Sequence, residues 1–147
     1  MPDQTIKVEV VTPYAMFYES DAEMVVFTSK NGEIGVMPGH APLMAALVSG
    51  EIRILADGQW ISIAATNGYA EVGPELVVLV VNAAEYPRDI SLERAHRALE
   101  RAEQRLHDPD VSDREKARSR HGVERARNRI RLAEKYQRQQ TDNMPII

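Results

Sequence analysis

Over roughly its first ninety residues the chain alternates apolar and polar positions at a period of two. In TIKVEVV (5–11), Ile6, Val8 and Val10 stand against Lys7 and Glu9. The segments EMVVF, EIRIL, WISIA and LVVLVV are short, rich in β-branched residues and bounded by turn residues, which is the signature of strands. Asn31-Gly32, Asp57-Gly58 and Asn67-Gly68 favour the positive-φ backbone of tight hairpin turns, and Gly73-Pro74 adds a further corner. The pattern predicts a β-sandwich of about eight to ten antiparallel strands over residues 1–87.

After Pro87 the period changes. In SLERAHRALERAEQRL, Leu92, Ala95, Leu99, Ala102 and Leu106 recur at alternating spacings of three and four, so they fall along one stripe of a helix. Ser91 is placed to cap that helix, with Glu93 opposing its dipole in the first turn. HDPDV interrupts the pattern, because Pro109 lacks an N–H and clashes with a preceding helical turn. Ser112-Asp113-Arg114-Glu115 then reads as a capping box for a second helix, whose Val123, Ala126, Ile130 and Ala133 repeat the stripe. The expectation is an antiparallel two-helix hairpin over 88–140 and a frayed tail over 141–147. A second helix of about 25 residues spans on the order of 37 Å. The seam is mostly alanine, so the helices approach closely but remove little apolar area from water. Ordering the residues opposes that small gain, and the helical hairpin is expected to be weakly held and able to move.

Charge divides the chain at the same place. Residues 1–90 hold 4 Lys/Arg against 12 Asp/Glu, whereas 91–140 hold 14 against 9. Two modules with different neighbours follow from that asymmetry. The overall charge of −4 argues against a general nucleic-acid binder. The absence of cysteine removes disulfides, thiolate catalysis and Cys-based zinc sites. No apolar run reaches the roughly 18 residues of a membrane span, and MPDQTIKVEV has neither the basic nor the apolar part of a secretory signal.

Candidate chemistry concentrates in NGEIGVMPGHAPL (31–43), with three glycines, two prolines and His40. It is not a phosphate loop, since no G-K-[ST] follows, and Gly32, Gly35 and Gly39 miss the dinucleotide spacing. His40 has no cysteine or second histidine at ligand spacing, and His96, His107 and His121 lie on the helices without any. A loop histidine between glycine and proline reads as a packing residue, and the stretch as a set of tight corners. No catalytic residue is assigned.

GEIGVMPGHAPLMAALVSGEIRI, followed by GYAEV, a Val-rich strand and NAAEYPRDISLERA, closely resembles the epsilon subunit of bacterial and chloroplast F-type rotary ATP synthases. The match includes the specific PGHAPL run and extends across nearly the whole chain, in the same order of sandwich and helical hairpin. The resemblance implies a non-catalytic rotor subunit of the central stalk. Its sandwich would join the gamma subunit to the ring of c subunits, coupling ion translocation to ATP synthesis. Its helical hairpin would either fold down or extend along gamma toward the alpha and beta subunits and inhibit ATP hydrolysis. The resemblance further implies a peripheral location without a membrane span, on the cytoplasmic face of a bacterial inner membrane or the stromal face of a thylakoid.

For residues, the resemblance places Glu33 and His40 on the edge that faces the c ring; an ordinary exposed turn is the alternative for Glu33. Arg118, Arg120, Arg125, Arg127, Arg129 and Arg131 crowd the second helix. They read either as a solvated face or as a surface for an acidic partner loop, with Arg118, Arg125 and Arg129 as the chosen contacts. No cofactor is required. The resemblance implies a regulatory ATP site in members that carry Ile/Leu-Asp-x-x-Arg-Ala at the start of the first helix. Here Ser91 replaces that aspartate, keeping a cap but losing a charge and an acceptor oxygen. Glu85, Arg94 and Arg101 are its first candidates, with Arg125 and Arg129 behind them. The competing reading is a stand-alone β-sandwich adaptor whose Arg-rich helix binds an acidic protein or RNA. Against RNA, Tyr136 is that helix's only aromatic side chain.

Overall fold

The computed structural model describes residues 5–143. The chain divides into two compact units, with the boundary between Glu85 and Tyr86. The first unit holds ten strands: β1 (Ile6–Val11), β2 (Met16–Ala22), β3 (Met24–Ser29), β4 (Gly32–Val36), β5 (Leu43–Leu47), β6 (Gly50–Ala56), β7 (Gln59–Ala65), β8 (Gly68–Val72), β9 (Leu76–Val81) and β10 (Ala84–Glu85). They form one hydrogen-bonded path, β10-β7-β6-β3-β5-β8-β9-β1-β2, with β4 paired to β3. Ser29 of β3 pairs Leu47 of β5, and there the path passes from one layer of the sandwich to the other.

The period-two pattern reports burial directly in β1, where Ile6, Val8 and Val10 are buried and the side chains between them face out. Phe27, Ile54, Ile63, Val77, Leu79 and Val81 fill the same core. One pairing departs from the expected antiparallel rule: β1 runs parallel to β9, with Val8 opposite Val77 and Val10 opposite Leu79. This pairing joins the first strand to the ninth, and local alternation carries no information about such a partner.

The turn glycines divide into two kinds. Gly32 (φ 117°) and the Asp57-Gly58 pair (φ 52° and 74°) take the positive-φ backbone expected of hairpin turns. Gly68 does not. It opens β8, where an added Cβ would lie 1.8 Å from the Val80 carbonyl oxygen, so glycine serves close strand approach there rather than turn geometry.

The second unit begins with a single 3-10 turn at Pro87–Asp89, which the sequence pattern did not anticipate. The helices α1 (Leu92–His107) and α2 (Asp113–Asp142) follow. Both expected caps form: Ser91 Oγ accepts from the Arg94 N–H (3.3 Å), and Ser112 Oγ accepts from the Glu115 N–H (3.2 Å). Between the helices, Asp108 Oδ1 accepts from the Asp110 N–H at 2.9 Å and shapes the turn at Pro109.

α2 has 30 residues rather than about 25 and runs through Asp142, so the tail expected from 141 starts in helix. Residues 144–147 of that tail lie outside the described residues. Ala95, Ala102, Val123, Ala126 and Ala133 are buried. A Cβ at Gly122 would sit 3.4 Å from Ala102 Cβ, which measures how closely the helices approach. Leu92, Leu99, Leu106 and Ile130 are only half-buried, so the large side chains flank the seam. Ser119, Asn128 and Leu132 are also buried, although the stripe omitted them. α2 packs on the 3-10 turn as well as on α1, and a single-stripe reading cannot register a second packed surface.

Candidate functional site

The His40 ring serves its own loop. Its Nδ1 lies 2.7 Å from the Ala41 carbonyl oxygen, so Nδ1 carries the proton and donates it there. The His40 N–H donates to Met37 O (3.2 Å), and the Gly39 N–H donates to Pro74 O (2.8 Å) from a φ of 86°. The Gly39–Pro74 bond ties the loop after β4 to the corner between β8 and β9, while the two His40 bonds stay within the loop. Among the described residues no group of three or more His, Asp or Glu side chains is placed to hold a metal ion.

Glu33 sits on β4, on the outward face of its layer. Arg53 Nη2 lies 3.4 Å from both of its carboxylate oxygens. Arg53 Nη1 lies 4.0 Å from Oε1 of Glu51, whose Oε2 accepts from Ser62 Oγ at 2.6 Å. Glu33 and His40 are therefore not partners; a chain of polar groups from β6 and β7 reaches Glu33 instead. The sequence reading missed Arg53, Glu51 and Ser62. Their signal was available in EIRIL and WISIA, where polar residues occupy the outward positions of strands whose other face is core.

The other layer carries a feature the sequence reading also missed. On its outward face Ala46 stands opposite Tyr69, Tyr69 opposite Val80, Val80 opposite Val11 and Val11 opposite Met16. One register row thus crosses five strands with no charged residue. Tyr69 is 48% exposed, Met16 47% and Met44, in the adjacent row, 64%. Tyr14, in the turn between β1 and β2, is almost fully exposed. Charges follow beside the row: Glu71, Glu9 and Glu19 share the next register position with Met44 and Val78. Lys7 bonds Glu19 at 2.9 Å, and that hydrogen bond and charge hold its amino group above the ordinary lysine range. An apolar centre with a charged border is the anatomy of a protein interface. The available signal was LVVLVV, in which only alternate residues can face the core.

On the helices, Arg118, Arg125 and Arg129 are spaced seven and four apart and share one face of α2. Arg118 and Arg125 are exposed and Arg129 is half-buried. Arg127 reaches Glu103 of α1 (3.3 Å), and Arg131 donates to Asn128 Oδ1 (2.8 Å), so part of the cluster is answered within the helical pair. Arg94 and Arg101, both exposed, lie seven apart on one face of α1. Glu85 belongs to β10 of the first unit and is half-buried. The Ser91 hydroxyl is engaged as the cap of α1. No helix among the described residues is long and apolar enough to cross a membrane.

Comparison with known proteins accounts for both units. The family described as ATP synthase, Delta/Epsilon chain, beta-sandwich domain matches residues 5–87, and its long alpha-helix domain matches 88–134. An ATP synthase epsilon chain of Ruminiclostridium cellulolyticum is 41% identical over 126 residues, covering 86% of this chain and 93% of the relative. That of Shouchella clausii is 41% identical over 129 residues, covering 88% and 95%. That of the cyanobacterium Trichodesmium erythraeum is 37% identical over 131 residues, covering 88% and 96%. Among solved structures, a chain of the Euglena gracilis mitochondrial ATP synthase (OSCP/F1/c-ring) superposes with a TM-score of 0.76 at 19% identity, covering 86% of this chain and 79% of that one. A chain of the Tetrahymena thermophila mitochondrial ATP synthase central stalk and c-ring gives 0.62 at 10% identity, covering 90% and 99%. These two likenesses concern the fold. With sandwich and helices both matched and the relatives spanned almost end to end, the chain belongs to the epsilon-chain family of F-type ATP synthases, non-catalytic subunits of the central stalk.

Proposed function

We propose that this subunit joins gamma to the c ring as part of the rotor and restrains ATP hydrolysis with its helices. The observation that carries the proposal is the uncharged row from Ala46 to Met16. A face that leaves Tyr69, Met16 and Met44 in water suits a partner that covers it, and a gamma subunit is the neighbour the family supplies. The β4 edge, with Glu33 and the His40 loop, takes the c ring. The arginine face of α2 takes acidic surface on the alpha and beta subunits, through contacts that bidentate guanidinium groups favour. In this reading the protein is peripheral, held at the cytoplasmic side of a bacterial inner membrane, or the stromal side of a thylakoid, by its partners. Affinity capture from gently solubilised membranes tests it. Gamma and c subunits are expected to co-purify; recovery of nucleic acid with steep salt dependence would instead favour the RNA-binding adaptor.

Regulation by ATP belongs to the proposal in a weaker form, with Arg94 and Arg101 offering phosphate contacts and Glu85, Arg125 and Arg129 as further candidates. No nucleotide is required. Because the Ser91 hydroxyl already caps α1 and supplies no carboxylate, ATP binding is expected to be weak. Ser91→Asp preserves the cap and restores the charged acceptor. Calorimetric titration with Mg-ATP should show that variant binding about tenfold more tightly, the worth of one hydrogen bond to a charged group. Equal affinity would remove this segment from any nucleotide site.

A further inference from the structure

We propose that Asn31 is a site of spontaneous covalent modification: the Gly32 amide nitrogen closes on the Asn31 side-chain amide, and the β3–β4 hairpin ages to an isoaspartyl or aspartyl turn. The chain holds two Asn-Gly dipeptides, Asn31-Gly32 and Asn67-Gly68, and glycine shields the attacking nitrogen least because it has no Cβ. Water is the only co-reactant. The Gly32 nitrogen bonds to Asn31 Cγ, the side-chain nitrogen leaves as ammonia, and water opens the resulting cyclic imide at either carbonyl. Opening at the main-chain carbonyl routes the backbone through the former side chain and leaves isoaspartate; opening at the other leaves aspartate. Both products carry a new carboxylate.

The fold treats the two dipeptides differently. Asn31 and Gly32 are exposed at the tip of the β3–β4 hairpin, and nothing lies within 4 Å of the position a Gly32 Cβ would take. The Asn31 N–H donates to Ser29 Oγ (3.2 Å), but its side-chain amide makes no hydrogen bond among the described residues. Gly32 forms the last pair of the β3–β4 ladder, opposite Ser29, and such ends open locally at little cost. Asn67 is held instead: its Oδ1 accepts from Asn82 Nδ2 (3.2 Å) and its carbonyl oxygen from the Asn82 N–H (3.1 Å). Gly68 stands inside the sheet between Leu47 and Val81, where a Cβ would lie 1.8 Å from the Val80 carbonyl oxygen. Turning its nitrogen toward the Asn67 side chain breaks several of these bonds at once, each worth up to about tenfold in the population of the open form. At Asn31 the consequence reaches the strand. Isoaspartate adds a methylene to the main chain of the turn, and in a hairpin the loop length fixes the register. That register sets Val36 opposite Val25 and Ile34 opposite Phe27, with Val36, Val25 and Phe27 buried. The modified turn therefore loosens β4.

The test incubates the full-length chain in mildly alkaline buffer, folded and in denaturant. Proteolytic peptides are followed by mass and by enzymatic methylation of isoaspartyl carboxylates. In the folded chain Asn31 is expected to convert about tenfold or more faster than Asn67, the worth of the bonds that hold the second site. In denaturant the two should convert at comparable rates. Hydrogen exchange of the aged chain should show protection lost in β4 and kept in β1 and β9. Asn31→Gln, which keeps an amide but closes the larger ring far more slowly, should keep protection in all three strands. Equal conversion of both sites in the folded chain overturns the proposal. So does an Asn31 that stays intact when folded yet converts in denaturant. Isoaspartate at Asn31 with β4 protection unchanged, or the same loss in Asn31→Gln, overturns the effect on register and leaves the modification site standing.

Discussion

Truncation after Tyr86 is expected to leave the subunit able to join the rotor while raising ATP hydrolysis by the assembled enzyme about fivefold or more, the lower range of a typical coupling between sites. The unit boundary lies between Glu85 and Tyr86, and the core of Ile6, Val8, Phe27, Ile54 and Leu79 belongs entirely to the part retained. Removed are a helical pair held through alanines and a 30-residue α2 that spans about 45 Å. With little apolar area in the seam, the proposed brake requires only a small free-energy difference between arrangements of the helices, so that a partner would shift the population between them. In that proposal a long helix bearing Arg118, Arg125 and Arg129 on one face would supply the reach and the charge for a brake on acidic surface. The measurement is steady-state hydrolysis by purified enzyme at low nucleotide, before and after truncation. Unchanged hydrolysis with normal subunit content would remove the inhibitory role and leave the attachment role intact.

Tyr69→Ala should weaken binding to gamma by roughly thirtyfold while leaving the fold nearly as stable as before. Tyr69 occupies the second position of the apolar row, flanked in register by Ala46 and Val80. It is the large aromatic of that row, and such side chains at interface centres cost about 2 kcal/mol or more on truncation. Because it is 48% exposed and points away from the core, its loss opens no cavity within the sandwich. Titration against gamma, paired with thermal melts of Tyr69→Ala and the unaltered chain, separates the two effects. An unchanged Kd would mean that gamma docks elsewhere; a large fall in melting temperature would mean that the residue supports the sandwich.

The readable parts of this protein were those governed by near neighbours along the chain. The Ile6, Val8, Val10 alternation set the inward face of β1, and the Ser91 and Ser112 caps announced both helix starts. Glu33 was singled out through the family resemblance. Its partners Arg53, Glu51 and Ser62 lay hidden because they come from strands whose adjacency no local pattern specifies. Gly68 is a sharper case. Its Asn-Gly dipeptide resembles the other turns, yet the reason for glycine is the Val80 carbonyl twelve residues later in the chain.

The sequence by itself determined the inward face of an alternating strand such as β1, the change from strand to helical period near Pro87, and the residues that cap both helix starts. Each depends on interactions within a few residues, so a period, a cap or a proline suffices. Only the tertiary structure decided that β1 lies parallel to β9 and that Met16, Val11, Val80, Tyr69 and Ala46 form one row. That row is assembled by strand pairing across up to about seventy residues of chain, and a single residue of slip in any pairing would turn half of it into the core. A partner surface of this kind is a property of register, and register belongs to the folded molecule.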